Sequence, residues 1–218
     1  MVRGIIFDMD GLMVDSERLC CRLISEEMEK QGLEHTEEFY KTTLGMNEAK
    51  TRAVYLGHYG KDLDFDALLE TVARKRVEFY QQEGVPIKKG LNELLDYLKE
   101  KQIPAIVASG SDHEVVAMTL SLAGLQDFIV GIVGGDEVEH GKPDPEVFQK
   151  AAARLNLPCS ECLVLEDSYN GLLAALNAGI PALCIPDMID PLENGDVQAE
   201  GKLEDLNQVI AYLEKFAS

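Results

Sequence analysis

Two hydrophobic patterns divide this chain of 218 residues. The apolar residues Ile5, Ile6 and Phe7 predict a buried strand at residues 3–7, whereas at residues 16–82 apolar positions recur at helical spacing between scattered glycines. The apolar positions of this second pattern are Leu19, Leu23, Ile24 and Met28, and later Phe65, Leu68, Leu69, Val72 and Val77. This region is therefore predicted to form several short helices and no strand.

Strand and helix patterns alternate in the second part of the chain. The predicted strands are 105–108, 128–133, 163–165 and 182–185, and the predicted helices are 91–101, 112–123, 145–155, 169–178 and 203–216. Such alternation specifies a mainly parallel sheet with helices on both faces. We expect a three-layer, Rossmann-like α/β core formed by residues 1–14 and 83–218, with a helical domain at residues 15–82 inserted after the first strand.

The strongly negative overall charge makes anionic macromolecules and membranes unfavourable binding partners. Lys and Arg total 20 against 39 Asp and Glu, a net charge of −19. A surface of this sign repels nucleic acid and anionic lipid, so we expect neither nucleic acid nor membrane as a partner, and no obligate protein partner is evident. Five cysteines and no signal-peptide pattern favour reduced thiols, including Cys159 and Cys162, in a cytoplasmic protein.

A pair of acidic residues follows the first predicted strand. Asp8 and Asp10 are separated by one residue, so in extended chain their side chains point the same way. Paired carboxylates at a buried strand end repel each other and are costly to desolvate, and Mg²⁺ would remove that conflict. The pattern favours a metal-assisted site in which one Asp attacks and the other moves protons. The alternative is that both acids lie in an ordinary loop.

Polar residues also follow the strand predicted at 105–108. The Ser109 hydroxyl, next to Gly110 and ahead of a helix N-terminus, can bind a phosphate oxygen, although a plain turn serine is the alternative. Ser111 and Glu114 have the spacing of a capping box, which predicts that the Ser111 hydroxyl caps the following helix.

The next two predicted strands are also followed by charged residues. Lys142, between a glycine and a proline, can neutralise charge between a nucleophile and a phosphate, or it can be a solvated loop lysine. Glu166 and Asp167 form a second acidic pair, and Asp167 is the natural second metal ligand opposite Asp8. Because ligands bind at the carboxyl ends of parallel strands, these groups are expected at one site.

Several other polar residues are assigned by position. Asp144 and Ser168 precede predicted helices, which favours capping. Lys75 and Arg76 lie on a predicted helix, where they either face water or reach a bound anion. The acidic residues after the last core strand are predicted to be solvated; they are Asp187, Asp190, Glu193 and Asp196.

Four motifs at the predicted strand ends together resemble the haloacid dehalogenase superfamily of aspartate-nucleophile phosphotransferases. They are FDMDG at residues 7–11, ASGS at 108–111, GKPDPE at 141–146 and LEDS at 165–168, in the order found in that family. The resemblance covers essentially the whole chain. The helical insert resembles the α-helical cap of the family.

The resemblance implies a role for each matched residue. Asp8 would attack phosphorus and become an aspartyl phosphate, and Asp10 would protonate the leaving oxygen and then activate water. Being an ordinary aspartate, Asp8 is expected to be ionised at neutral pH without an activating base. The implied phosphate-binding residues are Ser109, Gly110 and Lys142. The implied Mg²⁺ ligands are Asp8, Asp10 through its backbone carbonyl, Glu166 and, directly, Asp167.

Within that superfamily the motifs look closest to the branch of β-phosphoglucomutase and small sugar-phosphate phosphatases. The mutase needs a cap histidine at the position where this chain has Cys20. It also needs a cap arginine near residues 45–48, where this chain has none, although Lys50 and Arg52 follow closely. We therefore expect Mg²⁺-dependent hydrolysis of a small phosphorylated metabolite, with a sugar phosphate favoured as substrate. A phosphomutase is the alternative, and a non-catalytic binding module is the rival from another class.

Overall fold

The computed structural model describes residues 2–46, 48–193 and 195–215. The chain divides into two compact units, one formed by Met1–Asp15 with Val85–Ser218 and the other by Ser16–Gly84. The insert expected at residues 15–82 thus corresponds to a unit that begins one residue later and ends two residues later.

The described residues of the first unit form a six-stranded sheet. Its strands are β1 Gly4–Phe7, β2 Ala105–Ala108, β3 Ile129–Val133, β4 Cys162–Glu166, β5 Ala182–Cys184 and β6 Gly201–Lys202. All neighbouring strands pair in parallel, in the order β3-β2-β1-β4-β5-β6. β1 therefore lies between β2 and β4, at the point where the strand order reverses direction. The predicted α/β core with a parallel sheet is confirmed.

Helices follow the strands along the chain. In the second unit they are α1 Ser16–Lys30, α2 Glu37–Lys41, α3 Glu48–Tyr59 and α4 Phe65–Glu83. In the first unit they are α5 Leu91–Glu100, α6 His113–Leu122, α7 Glu146–Arg154, α8 Tyr169–Ala178 and α9 Asn207–Lys215. Short 3₁₀ turns at Gln126–Phe128, Gly135–Glu137 and Cys159–Glu161 connect some of them.

The central strands are apolar, apart from Glu166 at the end of β4, because both faces of the sheet are covered. Every residue of β1, β2 and β4 is buried, and the side chains of Ile6, Ile106 and Val164 belong to one core cluster. Phe148 of α7 and Leu172 of α8 pack into the same cluster and are fully buried. A strand buried on both faces reads as a continuous apolar run, which is why these elements are easily located in the sequence.

The last part of the chain differs from its prediction. The helix expected from residue 203 begins at Asn207, and its predicted end at residue 216 lies outside the described residues. The preceding segment pairs with the sheet instead: β6 lies beside β5, and the Leu203 N–H donates to the Cys184 carbonyl at 2.8 Å. A strand of two residues is too short to show a periodic pattern.

The second unit is helical, as predicted, in its described residues. α1 buries Leu19, Leu23, Ile24 and Met28, the positions that the spacing predicts. Tyr55 of α3 is almost fully buried and stacks on His35. His35 Nδ1 lies 2.8 Å from Ser25 Oγ, and His35 Nε2 lies 2.9 Å from Tyr55 Oη. Polar atoms inside this aromatic cluster are thus hydrogen-bonded.

Two properties inferred from composition can be compared with the structure. None of the five cysteines, all of which are described residues, forms a disulfide. Among the described residues, none of the helices has the length and apolarity needed to span a bilayer.

Candidate active site

Three adjacent strands bring the candidate residues to one edge of the sheet. β1 pairs with β2 and with β4, and all three run in parallel, so their carboxyl ends lie side by side. Asp8 follows β1, Ser109 follows β2, and Asp167 follows β4. This is the edge where open parallel sheets bind ligands.

The centre of the site is a cluster of three carboxylates with one lysine. Oxygen atoms of Asp8, Glu166 and Asp167 lie within 4.8 Å of one another. Lys142 Nζ donates to Asp8 Oδ1 at 2.5 Å and to Glu166 Oε1 at 2.6 Å. The Lys142 side chain is only 12% exposed, so the alternative of a solvated loop lysine is wrong.

Glu166 is bound on both of its carboxylate oxygens. Oε1 accepts from Lys142, and Oε2 accepts from the N–H groups of Asp167 and Ser168 and from Ser168 Oγ, at 2.8–2.9 Å. The side chain is fully buried. Ser168 Oγ also accepts from the Gly171 N–H as the N-cap of α8, which confirms its predicted capping role. These bonds fix Glu166 as the group that orients Lys142 and the loop after β4.

Burial changes the protonation of the cluster. Desolvation, together with the charges of Glu166 and Asp10, raises the pKa of Asp8 to about 8, despite the opposing charge and hydrogen bond of Lys142. Burial and the charges of Glu166 and Asp8 also raise the pKa of Asp167 well above its ordinary value. Burial lowers the pKa of Lys142, but the charges of Asp8 and Glu166 outweigh that effect and raise it. Asp8 therefore differs from the ordinary aspartate expected from the sequence, and its ionised form needs positive charge beyond that of Lys142.

Two glycines make room for the acidic side chains. A Cβ on Gly11, whose φ is +85°, would lie 2.3 Å from Asp167 Oδ2. A Cβ on Gly171 would lie 1.7 Å from Glu166 Oε1. Both carboxylates thus pack directly against backbone, which holds them at the strand ends.

The loop after β2 connects to Asp10. Ser109 is buried, its N–H donates to the Val133 carbonyl at 3.0 Å, and its Oγ accepts from the Ser111 N–H at 3.0 Å. Gly110 is exposed between them. Ser111 Oγ donates to Asp10 Oδ2 at 2.9 Å.

The predicted capping box of Ser111 and Glu114 is wrong. α6 begins after Asp112, whose own side chain makes no capping hydrogen bond; the His113 N–H donates to Asp136 Oδ1 at 2.7 Å instead. The Ser111 hydroxyl is instead directed at Asp10, a residue far away in sequence. By contrast, Asp144 has a structural role at the start of α7, because its Oδ1 accepts from the Glu146 N–H at 3.0 Å. The N-cap position itself is taken by Pro145, one residue later than predicted.

The donor set of the cluster fits Mg²⁺. Oxygen ligands and carboxylates are what this ion prefers, and three clustered carboxylates with one lysine leave uncompensated negative charge in a buried site. Gly11 lacks the Cβ that would displace Asp167 Oδ2. Because both Glu166 oxygens already accept hydrogen bonds, Asp8 and Asp167 are the better candidates for direct ligands.

Asp187, one of the acidic loop residues predicted to be solvated, lies near this cluster. The Asp187 side chain is 2% exposed and its Oδ1 accepts from Lys88 Nζ at 2.5 Å. Its charge contributes to the raised pKa of Asp167. The prediction of solvation is therefore wrong for Asp187. The signal in the sequence is its position just after the strand next to β4, at the same edge of the sheet.

Two cationic candidates lie in the second unit. Lys75 Nζ forms an ion pair with Glu27, whose carboxylate also binds Lys30. Arg76 Nη1 lies 4.0 Å from Cys20 Sγ. Both side chains are partly buried, so neither simply faces water.

Comparisons with known proteins agree with this site. Residues 5–185 match the model of the haloacid dehalogenase-like hydrolase family. The chain is 30% identical over 183 residues to a phosphorylated carbohydrates phosphatase of Thermotoga maritima, with 82% of each chain covered. It is 26% identical to hexitol phosphatase B of Escherichia coli, covering 94% of this chain and 93% of that protein.

A solved structure has the same fold. The crystal structure of CbbY from Rhodobacter sphaeroides in complex with phosphate superposes with a TM-score of 0.80 and 26% identity, and 96% of each chain is covered. The family-model match over residues 5–185, the acidic and polar residues at three strand ends and this shared fold lead to one conclusion. The chain belongs to the haloacid dehalogenase-like hydrolase family.

Proposed function

We propose that this protein hydrolyses the phosphate monoesters of small metabolites, in particular sugar phosphates, through an aspartyl-phosphate intermediate and with Mg²⁺. The observation that carries the proposal is the cluster of Asp8, Glu166 and Asp167 around the buried Lys142, with Asp10 two residues beyond Asp8. Such a cluster combines a nucleophile, a cation for phosphoryl oxygens and a metal-type donor set.

In the first step a carboxylate oxygen of Asp8 attacks phosphorus. The bond from phosphorus to the leaving oxygen breaks, and Asp10 gives its proton to that oxygen, which departs as an alcohol. Lys142, held by Asp8 and Glu166, is placed to stabilise the charge that spreads over the phosphoryl oxygens, together with the Ser109 loop.

In the second step water attacks the same phosphorus from the side that the alcohol has left. The bond between Asp8 and phosphorus breaks, and Asp10 takes the proton of the water molecule. Asp10 therefore acts first as an acid and then as a base, and the enzyme returns to its starting state with inorganic phosphate as the product.

Mg²⁺ would be held by Asp8, Asp167 and the backbone carbonyl of Asp10, with Glu166 behind them. When bound, it supplies positive charge that offsets the repulsion between the Asp8 carboxylate and the phosphate dianion. The raised pKa of Asp8 and of Asp167 supports this proposal, because carboxylates that stay charged in a buried cluster need a counter-charge.

The substrate class is supported by the relatives. One is named as a phosphatase of phosphorylated carbohydrates and another as a hexitol phosphatase, and both match over most of their length. Phosphorylated sugars are also the substrates expected from the sequence motifs. The negative surface, with a net charge of −19, fits a substrate captured by local cations rather than by a broad basic patch.

A phosphomutase that returns the phosphoryl group to a sugar is the alternative. The guanidinium of Arg52, the arginine nearest to the expected cap position, is engaged by Glu48 and Asp66. Cys20 stands where the mutase needs a histidine. Both features favour water as the acceptor. Incubation with a hexose 1-phosphate separates the two activities. Hydrolysis yields free phosphate, whereas phosphoryl transfer by a mutase yields hexose 6-phosphate.

Replacement of the nucleophile tests the proposal. We expect Asp8→Asn to abolish phosphate release from a hexose phosphate and from p-nitrophenyl phosphate in the presence of Mg²⁺. The matched control is Asp112→Asn, an exposed acid outside the cluster, which should retain the wild-type rate. An Asp8→Asn variant with normal turnover would contradict the assignment of Asp8 as the nucleophile. A wild-type protein without any phosphatase turnover would contradict the proposed function itself.

A further inference from the structure

The Ser111 hydroxyl makes a hydrogen bond that has no role in capping α6. Its Oγ donates to Oδ2 of Asp10 at 2.9 Å, although the two residues are 101 positions apart. The N-cap of α6 is Asp112, and the first N–H of the helix, that of His113, donates to Asp136 Oδ1 at 2.7 Å rather than to Ser111. The Ser111 hydroxyl is thus directed at the residue that exchanges protons in the proposed reaction.

The backbone around Ser111 is fixed on both sides. Its N–H donates to Ser109 Oγ at 3.0 Å, and its carbonyl accepts from the Gly135 N–H at 2.9 Å. A Cβ on Gly135 would lie 2.2 Å from the Gly110 carbonyl oxygen, so the two loops are packed at backbone contact distance. A hydroxyl on such a rigid segment has a defined direction, as the partners of functional groups require.

The backbone of Asp10 is fixed as well. Residue 10 forms a bridge with Val14, and the Gly11 N–H donates to the Val14 carbonyl at 2.9 Å. With its backbone held, the carboxylate of Asp10 is oriented by its two side-chain torsions. The bond from Ser111 restrains both of them.

We propose that Ser111 is a positioning residue that orients Asp10 for proton transfer, an inference that rests on the proposed phosphatase function. Because Oδ2 of Asp10 accepts from Ser111, the proton that Asp10 exchanges is directed to Oδ1. In the first step that proton goes from Oδ1 to the leaving oxygen as its bond to phosphorus breaks. In the second step Oδ1 takes a proton from the attacking water as the bond between phosphorus and Asp8 breaks.

Substrates with different leaving groups test this role. p-Nitrophenolate leaves phosphorus without needing a proton, whereas the alkoxide of a hexose 6-phosphate needs one. In single-turnover experiments with Mg²⁺, we expect Ser111→Ala to slow cleavage of the hexose ester about tenfold or more, a part of the 10²–10⁴-fold that general acid–base catalysis contributes. Release of p-nitrophenol should change less than about twofold. A residue with a purely structural role would slow both esters alike.

The second step gives an independent readout. In Ser111→Ala, hydrolysis of the intermediate also loses its oriented base, so p-nitrophenyl phosphate should give a burst of one p-nitrophenol per active site followed by slow turnover. Ser111→Thr keeps a hydroxyl and should restore both steps. Ser121→Ala, which removes an exposed serine hydroxyl from α6, the helix that follows Ser111, is the matched control and should behave as wild type.

The outcomes are distinct. Equal losses with both esters, or a Ser111→Ala variant with wild-type rates, would overturn the positioning role. Should Ser111→Ala not fold, Ser111→Cys, which keeps the size but offers only a weak donor, carries the same comparison. A wild-type protein that releases phosphate from neither ester would instead overturn the proposed function, a result that is visible before any variant is made.

Discussion

Gly171 lies so close to Glu166 that a methyl group on residue 171 would begin 1.7 Å from Oε1 of that carboxylate. Glu166 in turn holds Lys142, and Lys142 binds Asp8. A small residue at the start of α8 is therefore connected through two side chains to the proposed nucleophile. The absence of a side chain at this glycine is a requirement of the site rather than of the helix.

We expect Gly171→Ala to destabilise the protein and to abolish activity. The added carbon forces the buried Glu166 carboxylate out of place, and overpacking of this kind typically costs about 1–3 kcal/mol of unfolding free energy. Urea unfolding and phosphate release measure the two effects. The matched control is Gly57→Ala in α3, where the new Cβ has no neighbour within 4 Å. Because alanine has a higher helix propensity than glycine, this variant should be as stable as the wild type or slightly more stable. A fully active Gly171→Ala variant contradicts this account.

Removal of the Lys142 charge should be costly because its partners remain buried. Breaking a buried ion pair by deleting one member typically costs about 3–5 kcal/mol, and we expect Lys142→Met to lose activity and stability together. In the double variant with Asp8→Asn, one of the two unpaired carboxylates is neutralised. The double variant should therefore be more stable than the sum of the single losses predicts, and a double-mutant cycle from urea unfolding measures the difference. Strict additivity would show that the two groups do not interact.

The fold and the acidic cluster were predictable because both follow from local patterns. Apolar runs such as that of β4 identify strands buried on both faces, and parallel pairing then brings Asp8 and Asp167 to the same edge. The partner of Ser111 was not predictable, because the spacing to Glu114 fits a helix cap equally well and the true acceptor, Asp10, is 101 residues away. Asp187 was misassigned for the same reason: its partner Lys88 is 99 residues away.

Mg²⁺ should bind to the folded protein and stabilise it. A ligand at one hundred times its Kd adds about 2.7 kcal/mol of unfolding free energy, which for a chain of this length raises Tm by several degrees. We expect this rise with Mg²⁺, its reversal by a chelator, and its loss in Asp167→Asn. Asp112→Asn, with its exposed side chain, should respond as wild type. An unchanged Mg²⁺ response in Asp167→Asn would exclude Asp167 as a ligand, whether or not the enzyme is active.

The helical unit should lose stability as pH falls, because of His35. Burial lowers the pKa of this imidazole below its ordinary value of 6.5, and its nitrogens contact the neutral hydroxyls of Ser25 and Tyr55. The unfolded chain then binds a proton more readily than the folded one. Stability is complete above pH 6.5 and declines below it, by at most about 1.4 kcal/mol per pH unit for one group.

Urea unfolding between pH 7 and pH 5 measures this decline. We expect the slope of unfolding free energy against pH to shrink in His35→Gln, even though that variant is less stable at pH 7 because it disturbs the aromatic cluster. His58→Gln, an exposed histidine of the same unit, is the control and should keep the wild-type slope. A slope that is identical in wild type and in His35→Gln would show that other groups cause the acid sensitivity. A stability that rises on acidification would contradict the lowered pKa of His35, because the folded state would then bind the proton more tightly.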